Sequence, residues 1–210
     1  MPRRAISPEE IQSAVLTAAT SLFLEKGIYQ TEMKEIAQKA GVSLSSLYRH
    51  ASDKNQIAFR VVATLMKELT SPSLSFSERI EGESGIERLR RTLYLMLDGL
   101  QQHSDYLSIF NEFDTIYRGA YPDIKEAKEY VLLMQRLANK ALQFVLEAIA
   151  DGSMLHVEDP QLFSATVQNT VFGLALRFFP REEHFKEEHH SPGRLMIEEA
   201  IELMLNAVRQ

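Results

Sequence analysis

The sequence predicts an all-α protein, and three observations carry that prediction. Apolar residues recur at helical spacing from Ile11 onward through most of the 210 residues. The alternation of apolar and polar residues that marks a strand is nowhere sustained. Capping residues or prolines stand where the helical pattern begins, and glycines stand where it ends. No internal repeat, glycine-rich phosphate loop or low-complexity tract interrupts it.

Ser7-Pro8-Glu9-Glu10 opens the first helix with a cap, a first-turn proline and a reciprocal acid at N3. Ile11, Val15, Ala18, Ala19, Leu22 and Phe23 form its apolar stripe up to Gly27, which suits a stop. A second helix follows from Met33 to Ala40, with Thr31 able to cap it and Met33, Ile36, Ala37 and Ala40 on one face. Gly41 stands where the chain must reverse. Ser43 then caps a third helix, Leu44 to His50, in which Leu47 points inward with Val42 while Ser43, Ser45, Ser46, Arg49 and His50 stay outside. Asp53 and Gln56 form a further cap-and-N3 pair that opens a helix through Ile57, Val61, Leu65 and Leu69. Two helices joined by a short glycine turn, the second with a polar outer face, can lay that second helix in the major groove of DNA.

The order of these features, Ala18-Ala19, Leu22-Phe23, Gly27, Thr31, Ile36-Ala37, Ala40-Gly41-Val42-Ser43, Leu47-Tyr48, His50 and Lys54, resembles the amino-terminal domain of the tetracycline-repressor (TetR) family of bacterial transcription regulators. The resemblance covers roughly residues 8 to 60; the remainder agrees only in length and helical character. It implies an all-α homodimer of about nine helices per chain, with three parts. These are a helix-turn-helix DNA-binding domain at residues 1–52, a connecting helix at 53–71 and a helical-bundle ligand-binding and dimerisation domain at 72–210. It further implies a repressor released from double-stranded, palindromic operator DNA when a small molecule binds the bundle and tilts the connecting helix.

Carried over position by position, Thr31, Tyr48, His50 and Lys54 match the places where the family touches phosphates, and Ser43, Leu44, Ser45, Ser46 and Arg49 match the base-reading face. The chemistry agrees: hydroxyls, an imidazole and an ammonium hold phosphates, and the first turn of a helix reaches base edges. Three positions depart from the family pattern. Ala51 stands where phenylalanine is usual, so neighbours such as Phe59 are expected to replace the missing packing group beneath the recognition helix. Ser45 replaces a glycine or alanine, and Leu44 replaces a polar or basic residue and can offer only apolar contact, for example to a thymine methyl.

The net charge of -6 and pI near 5.6 are unlike a basic DNA-binding protein, but the charge is unevenly spread. Residues 1–60 hold eight Lys/Arg and six Asp/Glu, a net of +2, leaving 15 and 23, a net of -8, for the rest. Arg3 and Arg4 are placed to act as a basic arm ahead of the first helix. The chain has no cysteine and thus neither disulfide nor thiol nucleophile, which fits a reducing compartment. No signal-like segment and no apolar run of spanning length occurs, so the expected location is the cytoplasm, with no membrane partner. No cofactor is expected.

Beyond the reader, the polar stretch Thr70–Gly85 is expected to connect two domains. Helices are expected over Ile86–His103, Asp105–Tyr117 and Ile124–Ala150, the last closed by Asp151-Gly152. Two terminal helices, Pro160–Phe179 and Arg194–Val208, are apolar around most of their circumference. That breadth marks an interface between two copies, assigned to Phe163, Val167, Val171, Leu174, Ile197, Ile201, Met204 and Leu205.

Tyr94, Phe110, Phe113, Tyr117, Tyr130, Met134 and Phe172, with Tyr121 and Phe144, are the candidates for a pocket that takes a hydrophobic or amphipathic effector. Arg118, Arg136 and Gln168 are candidates to orient a polar head. The run His184 to His190, HFKEEHH, has metal-ligand residue types, and with His184, His189 and His190 it supports the alternative of a helical metal-binding enzyme. Its spacing is wrong for a paired-histidine zinc helix, since His184 and His189 are five apart and diverge by about 140° on a helix. A solvated loop without metal is expected there, and a helical protein-interaction adaptor is the other alternative.

Overall fold

The structure, a computed structural model, describes residues 7–75, 80–155 and 157–209, the side chains of 72–75 excepted. The arm with Arg3 and Arg4 and residues 76–79 of the polar stretch lie outside the described residues. The described chain is helical, with α1 (Pro8–Gln30), α2 (Met33–Lys39), α3 (Leu44–His50), α4 (Lys54–Ser75) and α5 (Gly85–Gln102) in its first half. It continues with α6 (Tyr106–Ile116), α7 (Lys125–Ala150), α8 (Pro160–Phe178), a 3₁₀ turn (Phe179–Arg181), α9 (Glu182–His189) and α10 (Gly193–Asn206). Among the described residues the extended pairing is a single antiparallel bridge between Met154 and Arg209.

The caps read at Ser7, Ser43 and Asp53 form as expected, whereas α2 takes Glu32 and not Thr31 as its N-cap, because the Thr31 hydroxyl is turned back to Gly27 O. Ser7 Oγ accepts from Glu10 N at 3.2 Å and Glu10 Oε2 accepts from Ser7 N at 2.8 Å. Asp53 Oδ1 accepts from Gln56 N at 3.1 Å, while Gln56 Oε1 accepts from Ser52 N at 2.8 Å. Three elements differ from expectation. Helix α1 kinks at Gly27 instead of stopping there and runs on to Gln30. Helix α4 runs on through Thr70 to Ser75, so part of the polar stretch is helix; Thr70 bonds its hydroxyl back to Met66 O at 2.8 Å instead of breaking the turn. The run 182–189 is α9 rather than a loop, with Phe185 buried against Phe178, ring centroids 4.2 Å apart. Its acids Glu182 and Glu183 sit in the first turn and Lys186 and His189 in the last, matching the helix dipole.

The chain divides into two compact units whose boundaries fall inside α4, α6 and α7. Unit 1 comprises Met1–Leu65 and Ser108–Val131; unit 2 comprises Met66–Leu107 and Leu132–Gln210. The division differs from the expected blocks of consecutive residues because aromatic packing draws the end of α6 and the start of α7 to Phe59. The Phe59 ring stands 4.9 Å from Phe113, 4.8 Å from Tyr117, 5.3 Å from Tyr121 and 5.8 Å from Tyr130, mostly edge to face. The core of unit 1 continues through the buried Ala19, Phe23, Ile28, Ile36, Leu47 and Ile57.

Unit 2 is a helical bundle centred on the buried Leu97, Leu100, Val171, Ile197, Ile201 and Leu205. The amino end of α5 meets the carboxy end of α7 closely: a β-carbon at Gly85 would lie 2.4 Å from Ala148 Cα. Asp151 Oδ2 accepts from Gly85 N at 2.6 Å and Ser153 Oγ from Ile86 N at 3.0 Å, so the turn after α7 caps α5.

Candidate nucleic-acid interface and ligand cavity

The reader is α2, the turn at Gly41 and α3. Gly41 has φ 70°, and Val42 N donates back to Ala37 O at 3.0 Å, which reverses the chain within three residues. Ser43 caps α3 by accepting from Ser46 N at 3.1 Å, and it exchanges a hydrogen bond with Ser45 Oγ at 3.0 Å. Ile36, Ala37 and Leu47 are buried and set the outward face of α3. Ser43, Leu44, Ser45, Tyr48 and Arg49 are exposed, Tyr48 by 49%, and His50 is half-buried.

Two of the expected contact residues, Thr31 and Ser46, are turned inward, and a third, Lys54, is partly committed to the chain itself. Thr31 is 1% exposed and donates its hydroxyl to Gly27 O at 2.7 Å, so its side chain holds the α1–α2 joint and does not present itself to a phosphate. Ser46 is 8% exposed because position 46 of this two-turn helix lies beside Leu47 against the core. Lys54 donates from Nζ to Tyr29 O at 2.8 Å and Thr31 O at 2.9 Å, which leaves one of its three N–H donors uncommitted. Burial lowers the Lys54 pKa, and the negative charge of Glu112 opposes that shift.

Sequence reasoning missed two residues that hold the reader. Glu112 of α6 accepts from Ile28 N at 2.6 Å and from Tyr29 N at 2.9 Å, next to the kink at Gly27. Arg60 of α4 donates to His50 O at 3.1 Å, tying the end of α3, and its Nη2 pairs with buried Glu126 of α7 at 2.5 Å. Both act over more than 60 residues of sequence or across an interhelical gap, where periodicity carries no signal. Phe59 is fully buried in the aromatic cluster, and Ala51 at the end of α3 is buried as well.

Unit 2 contains a cavity of about 170 Å³ walled by α4, α5, α7 and α8. Its apolar lining includes Met66, Met96, Met134, Leu93, Leu137, Phe144 and Phe172, and its polar lining is Thr70, Thr92, Gln168 and Asn169. Of the candidates named from sequence, Met134, Phe144 and Phe172 line this cavity. Phe113, Tyr117 and Tyr130 instead pack in the aromatic cluster of unit 1, and Phe110 is buried in that unit. Tyr94 donates its hydroxyl to Glu202 Oε1 at 3.3 Å and joins α5 to α10. Arg118 and Arg136 are exposed and do not line this cavity.

Val167, Val171, Ile197, Ile201 and Leu205 are buried inside the single chain, where α8 packs on α10. Five of the eight residues assigned to an interface between copies are thus taken up by the core of the single chain. Phe163, Leu174 and Met204 are half-buried. The residues left outward are Leu162, Leu195 and Leu203, exposed by 63%, 55% and 63%. On α9, the His189 ring lies 4.5 Å from that of Phe185, and among the described residues no group of three or more His, Cys, Asp or Glu is placed to hold a metal ion. No helix among the described residues is long and apolar enough to cross a membrane.

Residues 15–61 match the family described as bacterial regulatory proteins, tetR family. The HTH-type transcriptional regulator SrpR of Pseudomonas putida is 30% identical over 173 residues, which is 82% of this chain and 76% of SrpR. The HTH-type transcriptional regulator HbdR of Aromatoleum sp. (strain CIB) is 24% identical over 195 residues, 91% of this chain and 80% of HbdR. The crystal structure of a transcriptional regulator from Saccharomonospora viridis in complex with choline shares the fold, with a TM-score of 0.72 at 15% identity over 96% of this chain and 99% of that one.

Proposed function

The chain belongs to the tetR family of bacterial regulatory proteins and is a helix-turn-helix DNA-binding transcriptional regulator, and from that premise we propose a repressor whose operator affinity falls when a small apolar molecule occupies the cavity of unit 2. The observation that carries the DNA reading is the outward face of α3: Ser43, Leu44, Ser45, Tyr48 and Arg49 are exposed while Leu47 and Ser46 are buried. Ser43, Ser45 and Arg49 offer donors and acceptors to base edges, and Leu44 offers apolar contact. Tyr48, His50 and the remaining N–H of Lys54 hold phosphates, so they set orientation and affinity rather than sequence preference.

The operator is double-stranded and palindromic, read by a homodimer that places two copies of α3 about 34 Å apart in successive major grooves. The partner copy is met by the outer faces of α8 and α10, through Leu162, Leu195 and Leu203 with the half-buried Phe163, Leu174 and Met204. For the effector response, Met66 and Thr70 of the cavity lining and Arg60, which anchors the end of α3, belong to one continuous helix, α4. A ligand that favours a different packing of α4 shifts the reader toward a state with the wrong spacing.

Footprinting on DNA flanking the chain's own gene tests the reading. A protected palindrome with two half-sites one helical turn apart is the expected result, and a wild-type protein that protects no DNA there counts against it.

A further inference from the structure

Resting on the reading of the unit 2 cavity as the effector site, we infer the chemical class of its ligand: an uncharged, largely apolar molecule whose hydroxyl donates a hydrogen bond to Gln168 Oε1. Two observations lead there. First, among the described residues none of the side chains lining the cavity is ionisable. A carboxylate or ammonium entering it gives up its hydration with no opposite charge to compensate, and this discriminates strongly against ions. Arg118 and Arg136, the cations that could have met an acid head, are elsewhere on the surface.

Second, the donors in the lining are largely spent on the chain itself. Gln168 Nε2 donates to Ser164 O at 3.0 Å and to Ser164 Oγ at 2.9 Å, which uses both amide hydrogens. The bond to a backbone carbonyl also fixes which end of the amide is nitrogen, because a carbonyl cannot face the amide oxygen. Thr92 gives its hydroxyl proton to Arg88 O at 2.9 Å, and Thr70 gives its own to Met66 O at 2.8 Å. Asn169, the remaining polar residue, is exposed and donates to Ala165 O at 2.8 Å. Backbone N–H groups of the helical walls are committed within their helices. What half-buried Gln168 retains is an acceptor, and a ligand without a donor leaves that acceptor unpaired when water is displaced. The lining methionines Met66, Met96 and Met134 adapt to the shape of the apolar body and add no polar demand.

Four probes of matched chain length separate the classes in titration calorimetry on the full-length protein without DNA: octanol, octanone, octanoate and octylammonium at neutral pH. Octanol is expected to bind at least about a hundredfold more tightly than either ion and about tenfold more tightly than octanone. Gln168→Leu is expected to bring octanol and octanone within about twofold of each other while both still bind, and Ala141→Phe, which fills the cavity, is expected to abolish octanol binding. Gln168→Met gives the same readout should the leucine variant fold poorly. Octanoate or octylammonium binding as tightly as octanol, octanone matching octanol in the wild type, no binding of the neutral probes, or a ratio unchanged in both Gln168 variants would overturn the inference. Operator release is measured separately: octanol that binds without loosening operator DNA supports the ligand class and tells against the effector role of the cavity.

Discussion

Replacing Gly27 by alanine brings two costs that a double-mutant cycle with Glu112 separates. Gly27 has φ 86° and ψ 163°, a region open almost only to glycine, so a side chain there adds strain of about 1–3 kcal/mol. A β-carbon at Gly27 would also stand 2.7 Å from Glu112 Oε2 and 2.9 Å from Oε1. The carboxylate must then leave, and its bonds to Ile28 N and Tyr29 N are lost with it. Two charge-assisted bonds in a partly exposed setting, one of them to the exposed Tyr29, are together worth about 2–3 kcal/mol. Gly27→Ala alone should therefore destabilise by about 3–6 kcal/mol and Glu112→Ala alone by about 2–3 kcal/mol. The double variant should cost no more than Gly27→Ala alone, because the carboxylate it evicts is already gone. Urea unfolding followed by circular dichroism gives the stabilities, and anisotropy of labelled operator DNA shows whether a loosened α1–α2 joint weakens binding as well. In a chain of this size Glu112→Ala should lower Tm by about 4–12 °C. Strictly additive effects, with the double variant worse than Gly27→Ala by the full cost of Glu112→Ala, would refute the reasoning.

Three further outcomes are expected. Tyr48→Ala should weaken binding to every DNA sequence by about 1–2 kcal/mol with little change in Tm, since Tyr48 is half exposed; a changed sequence preference in a binding-site selection would assign it to base reading instead. Leu203→Glu should convert the dimer to monomer in sedimentation equilibrium at micromolar concentration, and a wild-type chain that is already monomeric would remove the proposed interface. In alkali, Tyr117 should appear in phenolate absorbance with its pKa pushed up to about 12, first by burial and then by the charge of Asp53. Because its folded pKa lies above that of the unfolded chain, its stabilising effect is complete below pH 10 and is lost as pH rises from there toward 12. A phenol titrating at its ordinary value in the folded protein would contradict the packing of the aromatic cluster.

The features legible in sequence are those with local causes. Ser7, Ser43 and Asp53 cap their helices through atoms three residues away, and Gly41 turns the chain through its own backbone freedom, so each could be assigned without a third dimension. The path of α3 and the burial of Leu47 followed from the same rules. The facing of Thr31, Ser46 and Lys54 did not, because a hydroxyl or an ammonium at such a position can reach outward to a phosphate or inward to a carbonyl with equal ease. Only the neighbours decide, and here Gly27 O, Tyr29 O and Thr31 O lie within 2.9 Å.

Composition and periodicity by themselves determined an all-helical chain with a basic-leaning amino-terminal reader, since hydrogen bonds within a helix and the spacing of its apolar stripe are both written in consecutive residues. They could not apportion the apolar surface that remained. Helix α8 has residues facing inward, toward the cavity and outward, and the identity of Val171, Phe172 and Leu162 does not differ in a way that marks those roles. Tertiary packing assigned them. It drew Phe113, Tyr117 and Tyr130 to Phe59, placed Met134 and Phe172 around the cavity and spent Val171 and Ile201 on the bundle core. Burial of apolar area is non-directional, so the choice among equally apolar partners is made by shape and chain geometry in three dimensions.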